Sequence, residues 1–226
     1  MTYNMSVNAN QLSIGRGSED SWIALRGLRD GAAVVVPWYQ ALVMEGRVFG
    51  IHAGSVTTPI AGHAAIDADQ PEAAVWFADG TAAIPLSIRA TMETGATTLA
   101  QGGMMCAVSN IAVGAGTSTP ATPFNFNMSS GHGITTGATA ATAYTGNGTD
   151  PLTAGNNLEL ARVSAVIDAD AATSGIVPPT LFWSASTGAV APVIQDIGSI
   201  LLYGEAAANT LFGSIVWAEL PEAALQ

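Results

Sequence analysis

Ile84-Pro85-Leu86-Ser87-Ile88-Arg89-Ala90-Thr91-Met92 decides how this chain is read. Ile84, Leu86, Ile88, Ala90 and Met92 alternate with Ser87, Arg89 and Thr91, which is the period of a strand with one face buried and one face wet. Pro85 suits the first positions of a strand or an edge, where a missing N–H is harmless. Working outward, residues 158–167 alternate in the same way: Ala161, Val163, Ala165 and Ile167 oppose Arg162 and Ser164, while Leu158 and Leu160 blur the face. Shorter apolar runs at 33–36, 47–52, 73–77, 104–113, 123–127, 180–184, 199–203 and 210–218 bring the expectation to about eight to ten strands. Helix signals are few. Pro37 before residues 38–45 and Gly46 after them predict a short helix, and residues 71–74 predict one further turn. Neither is long enough to make a helical layer. The expected fold is an all-β antiparallel sandwich with long loops and at most one or two short helices.

The chain has 226 residues, 49% of them hydrophobic and only 10% charged, and it contains no lysine. An average domain carries roughly a quarter of its residues as charged types. Much of this surface must therefore be Ala, Thr, Ser, Gly and Asn, which suits contact with neighbouring subunits. The length fits one domain, and the expected organisation is an N-terminal segment, 1–32, followed by a single sandwich, 33–226. Residues 114–157 are mostly Gly, Thr, Ala, Ser, Asn and Pro, relieved by Phe124-Asn125-Phe126-Asn127-Met128 and Tyr144. They read as an inter-strand excursion with one short strand near 124–128, ordered by lying on a partner. A linker between two domains is the alternative.

Mean hydropathy is +0.36, yet no stretch supplies the roughly 18 consecutive apolar residues of a spanning helix. Residues 1–5 lack the basic region and apolar run of an export signal, so neither membrane nor secretion is expected. The net charge of −11 argues against a nucleic-acid partner, because phosphate binding needs a basic patch. The charge is also unevenly placed. Arg16, Arg26, Arg29 and Arg47 share the first fifty residues with Glu19, Asp20, Asp30 and Glu45, whereas only Arg89 and Arg162 stand among the thirteen later acids. A neutral leading segment beside an acidic body is suited to docking on a neighbouring copy; the plainer reading is a solvated loop.

Chemistry is sparse. Cys106, the only cysteine, excludes an intrachain disulfide and a cysteine-rich zinc site and reads as a small core residue. Ser129-Ser130-Gly131-His132-Gly133 sets a hydroxyl near an imidazole within a glycine-rich loop, which cannot hold them in register. His52, His63 and His132 match no ligand spacing. Asp67 with Asp69, and Asp168 with Asp170, place paired carboxylates on extended segments and are the candidates for a subunit-bridging Ca²⁺. The glycine and the later glutamate of a calcium loop are missing, so solvated turn carboxylates outweigh that reading. Gly114-Ala115-Gly116 is followed by neither helix nor lysine and is not a phosphate loop. Trp22, Trp38, Trp76, Trp183 and Trp217 are scattered singly, as core or interface anchors are, rather than as a sugar-stacking face. No catalytic residue and no cofactor is expected, and the chain does not read as an enzyme; a β-sandwich hydrolase with paired acids is the weakest alternative.

Three segments carry a resemblance: Val36-Pro37-Trp38-Tyr39-Gln40-Ala41-Leu42-Val43-Met44-Glu45-Gly46-Arg47-Val48-Phe49, Gly80-Thr81-Ala82-Ala83-Ile84-Pro85-Leu86, and Ser214-Ile215-Val216-Trp217-Ala218-Glu219-Leu220-Pro221. With the strand-only pattern and the missing lysine, they resemble bacteriophage and virus structural proteins of jelly-roll type. The resemblance implies a jelly-roll-like sandwich and a capsid or capsid-associated subunit that self-assembles in symmetric copies, as a trimer or another cyclic oligomer. Its partners would be its own copies and other virion proteins, and its location the virion, assembled in the host cytoplasm. A carbohydrate-binding or host-recognition module of a phage fibre is the alternative. No site residue follows from the resemblance.

Overall fold

In a computed structural model of the chain, the described residues are 37–63, 65–94, 99–109, 118–128, 134–145, 151–152, 157–166, 180–187, 189–205 and 210–222. The one α-helix among them is α1 (Trp38–Met44). The strands are β1 (Val48–Ala53), β2 (Ile60–Ala61), β3 (Ala73–Phe77), β4 (Thr81–Thr94), β5 (Leu99–Ala107), β6 (Thr119–Pro120), β7 (Phe124–Asn125), β8 (Thr139–Thr142), β9 (Asn157–Val166), β10 (Thr180–Ser184), β11 (Gly198–Glu205) and β12 (Thr210–Pro221).

Every pairing is antiparallel, and the strands divide into two sheets. Sheet I has the order β10-β4-β12-β1-β7, with β2 also on β12, and sheet II the order β6-β8-β3-β11-β5-β9. The eight longest strands form four pairs, β1 with β12, β3 with β11, β4 with β10 and β5 with β9. These are the rungs of one long two-stranded ribbon. Rolling it brings β12 onto β4 and β11 onto β5, which is the winding of a jelly roll. The all-β sandwich expected from alternation is the fold observed.

Inward residues of both sheets meet in one core: Phe49 and Ile51 of β1, Val75 and Phe77 of β3, Met104 and Cys106 of β5, Ile200 and Leu202 of β11, and Ile215 and Trp217 of β12. Trp217 is fully buried, with its ring centroid 6.3 Å from that of Phe49 and 6.2 Å from that of Phe77. Offset and edge contacts at these separations add to the area each ring buries.

Strand β4 departs from the single-face reading of residues 84–92. Ile88 and Ala90 belong to the central core, but Ile84 and Leu86 face the other way, into a cluster with Ala82, Val48, Ala218 and Leu220. A β-bulge is the reason: Trp217 pairs with Pro85 and Val216 with Ser87, so Leu86 is an extra residue and the alternation flips across it. Pro85 is tolerated there because β10 pairs only with residues 87–91, leaving no ladder on that side to break.

Helix α1 lies where residues 38–45 predicted it. It ends in a Schellman motif: Gly46 (φ 74°) donates to the Val43 carbonyl and Arg47 donates to that of Leu42, each at 2.9 Å. The turn expected at 71–74 is not helical, because Pro71 precedes a strand that starts at Ala73. The strand expected over 104–113 is displaced, running from Leu99 to Ala107. Among its described residues the excursion carries three short strands where one was expected, with β7 on β1 and both β6 and β8 extending sheet II. The N-terminal segment 1–32 and the run 33–36 lie outside the described residues.

Candidate functional site

Each sheet has an outer face, and the two faces are finished differently. On sheet II the outward residues Ala74, Ala107, Ala141, Leu201 and Tyr203 form a second buried cluster, lidded by Tyr144, Ile66 and Leu152. Polar struts hold the lid. The Tyr203 hydroxyl donates to the Ala68 carbonyl at 2.8 Å. Glu72, wholly buried, accepts the His63 N–H at 3.1 Å on one carboxylate oxygen and the Gly204 N–H on the other. Burial pushes its carboxyl up to about 8, against the backbone N–H groups of Gly204, His63 and Glu72 itself, which pull it down. Glycine at 204 leaves room for Leu211, whose side-chain end would lie 2.6 Å from a Cβ placed there.

Among the described residues the outer face of sheet I is closed at one end only. Leu42, Tyr39 and Val43 of α1 seat on Val48, Ala82, Leu86, Ala218 and Leu220. Beside the helix the excursion lies on β1: Phe126 donates its N–H to Val48, and Asn125 and Asn127 donate side-chain N–H groups to the carbonyls of Gly46 and Met44. Gly50 makes room, because a Cβ there would come within 2.8 Å of the Phe126 ring. Residues 124–128 are thus ordered against their own chain. Between α1, Phe126 and the sheet runs a groove of about 260 Å³, floored by Val48, Leu86, Ser87 and Val216 and edged by Ser184.

Past the groove the described residues leave the sheet face open, with Phe182, Arg89 and His52 exposed. Register places Phe182 opposite Arg89, Arg89 opposite Ser214, and Ser214 opposite His52, so these four form one row across four strands. Their sequence neighbours Leu181, Ile88, Ile215 and Ile51 point into the core, which turns the row outward. Phe182 is 54% exposed, and the His52 ring stacks on Phe124 at 4.7 Å. The adjacent row is Thr180, Thr91 and Phe212. Arg89 is the only charged residue in either row.

The residues singled out from sequence are dispersed. Cys106 lies in the core, where burial pushes its thiol up to about 12, beyond use as a nucleophile near neutrality. Asp67 is an exposed turn residue bonded to Gln70, and Asp69 is half-buried nearby; no third acidic or imidazole ligand joins them among the described residues. Asp168, Asp170, Trp22 and the segment 129–133 with His132 lie outside those residues. His52 faces outward and His63 meets Glu72 through its backbone. Trp183 and Trp217 are core residues, Trp76 packs on the second cluster, and Trp38 is half exposed on α1.

Sequence reasoning missed three things. Asp79, Asp196 and Glu222 converge with carboxylate oxygens within 4.8 Å of one another, and the Glu222 pKa is raised, first by a hydrogen bond to Asp196 and then by the charges of Asp196 and Asp79. Residues from three distant segments leave no local signal for such a meeting. Glu219 is buried, accepting from the Trp217 indole at 2.7 Å, from the Gly137 N–H at 2.9 Å and from the Thr136 hydroxyl. Counting parity from Ile215 and Trp217 would have placed it inward. The third is Glu72, whose only mark is an acid set immediately before an apolar strand.

No protein-family model matches the chain, and no curated protein matches it by sequence.

Proposed function

We propose that the chain is a virion structural subunit, a capsid or capsid-associated protein that assembles in symmetric copies. The observation that carries this reading is the open outer face of sheet I, an aromatic, almost uncharged surface spanning four strands of a jelly roll. Exposed aromatic rings and an arginine among uncharged hydroxyls match the composition of contact surfaces, where aromatic residues and Arg are enriched and Lys, Glu and Asp are depleted. Rolled ribbons of this winding serve in viral shells, and also in lectins. Three properties of the rest of the surface agree. No lysine has to be immobilised at a contact. Trp38, Met44 and Met128 are exposed around α1 and the excursion, and Val190, Val193 and Ile197 are exposed along the loop before β11. Among the described residues no helix is long and apolar enough to cross a membrane.

The sugar-binding alternative calls for Trp and Tyr rings that stack on sugars; among the described residues Trp38 is exposed with Tyr39 half-buried beside it, while Trp183, Trp217, Tyr144 and Tyr203 are buried. Sedimentation velocity of the purified chain over a concentration series, with electron microscopy of the larger species, tests the proposal. Discrete oligomers or shells that grow with concentration are expected. A single monomer boundary throughout would overturn it, and a glycan-array signal lost on Trp38→Ala would replace it with the lectin reading.

A further inference from the structure

We infer that the open half of sheet I is one side of a heterologous contact, in which Arg89, framed by Phe182, Ser214 and His52, docks on the acidic surface of a second copy of this chain. The inference rests on the self-assembly reading and names the surface and geometry that reading leaves open.

Three observations carry it. The first is an imbalance of charge. Beyond residue 50 the chain has two arginines, and Arg162 is already held by Glu159 through a two-pronged bond. Arg47 is likewise held by Glu45. Arg89 is exposed, in a row without an acid, and among the described residues it makes no ion pair. The second is its setting. Phe182 beside it and Phe212 in the next row give the cation an apolar frame, the arrangement in which an arginine at an interface is most effective, since the rings exclude water from the pair it forms. The third is what remains of the surface. Asp67, Asp79, Asp196 and Glu222 are solvent-accessible, and the chain carries −11 overall.

Symmetry then follows from sign. A two-fold contact confined to this face would bring two Arg89 cations into one interface and offer neither a carboxylate, because neither row carries an acid. Pairing Arg89 with carboxylates requires a different face of the neighbour, and contacts of that type close into rings or run on as chains. The neutral hydroxyls of Thr91, Thr180 and Ser214 can each donate and accept a hydrogen bond across such a contact.

The test compares wild type, Arg89→Glu, Arg89→Gln and Phe182→Ser by sedimentation velocity, with melting curves recorded in parallel. All four are expected to melt alike, because the changed side chains are exposed. Arg89→Glu should weaken association at least tenfold, Arg89→Gln and Phe182→Ser less, and salt should weaken wild type more than Arg89→Gln. Excess Arg89→Glu mixed into wild type should shorten its assemblies, because the variant still presents an acidic surface but no cationic one. Wild-type assembly unaffected by any of these substitutions would overturn the inference while leaving self-assembly standing. Association lost in Arg89→Glu without shortening of wild type in the mixture would point to a two-fold contact and overturn the heterologous geometry. A wild-type chain that stays monomeric would remove both readings.

Discussion

On sheet II, Leu201 and Tyr203 leave the strand toward the outside and are nevertheless fully buried, whereas on sheet I Phe182 and Arg89 leave in the same sense and stay in solvent. The strands are alike; what differs is what the rest of the chain lays over them. The lid of sheet II brings backbone into a dry place, and every N–H carried in with it needs an acceptor. Glu72 supplies two such bonds at once and Tyr203 anchors the same loop. Among the described residues sheet I is lidded by a short helix, whose last carbonyls are met by the N–H groups of Gly46 and Arg47 and by the Asn127 side chain, at the end where Val48, Ala82, Leu86, Ala218 and Leu220 offer an apolar seat. Beyond that seat the outward residues are Ser, Thr, Phe and one Arg, a surface that tolerates water and remains available to a neighbour.

The difference breaks most severely at the strut. Glu72→Ala leaves the N–H groups of His63 and Gly204 without their acceptor, and at about 1–3 kcal/mol for each buried orphan it should lower stability by roughly 2–6 kcal/mol, read from urea midpoints at unchanged slope. The same residue sets a pH signature. Its folded-state value is raised from 4.5 to about 8, so between those values the folded chain keeps a proton that the unfolded chain releases. Its contribution is therefore full below pH 4.5 and is lost as pH rises toward 8. The difference in unfolding free energy between wild type and Glu72→Gln, measured across this window, should fall with rising pH by up to about 1.4 kcal/mol per unit.

Leu201→Ala asks whether the lidded face is a true second core. The side chain is fully buried, and its truncation should cost about 2–5 kcal/mol, the range for a leucine removed from a packed interior. A loss under about 1 kcal/mol would mean that the lid opens easily and that the two faces differ less than the packing indicates.

How far these features could be read in advance depended on whether their cause was local. Alternation at Ile88, Ala90, Ile215 and Trp217 is a property of neighbours in sequence, so the sandwich was legible, and Pro37 with Gly46 bracketed α1 within a residue. The bulge at Leu86 was not, because it is defined by β12, more than a hundred residues away. Parity alone had joined Ile84 and Leu86 to the wrong face. Low-complexity composition hid β8, whose Ala140 and Ala141 are buried against both clusters; small residues there look like loop until a sheet edge is found for them. The row of Phe182, Arg89, Ser214 and His52 needs four strands in register, and no single segment announces it.

Smaller effects sharpen the comparison. The hydroxyl of Tyr144, a member of the sheet II lid, is buried with no hydrogen-bond partner among the described residues, and burial raises its pKa well above the ordinary tyrosine value. An unpaired buried hydroxyl is a net cost, so Tyr144→Phe should stabilise the chain, by about 1 kcal/mol, while keeping the ring that packs on Leu201 and Tyr203. Loss of stability instead would reveal a bond or a buried water at that oxygen, detectable as slowed exchange of neighbouring amides.

The smallest folding effect belongs to the open face. Phe182 projects from edge strand β10, 54% exposed, with its ring outside both buried layers. Truncation to alanine removes little packing, and its effect on monomer stability should stay within about 0.5 kcal/mol, several-fold below that of Leu201→Ala measured under the same dilute conditions. The pair is informative because both residues leave the sheet plane outward and both are large and apolar, so the sheet itself treats them alike. If Phe182→Ala destabilised a dilute monomer as Leu201→Ala does, some other part of the chain would cover sheet I and the face would not be free for a neighbour. If its cost appears only at concentrations where copies associate, the energy that sheet II gains from its own lid is gained on sheet I from the next subunit.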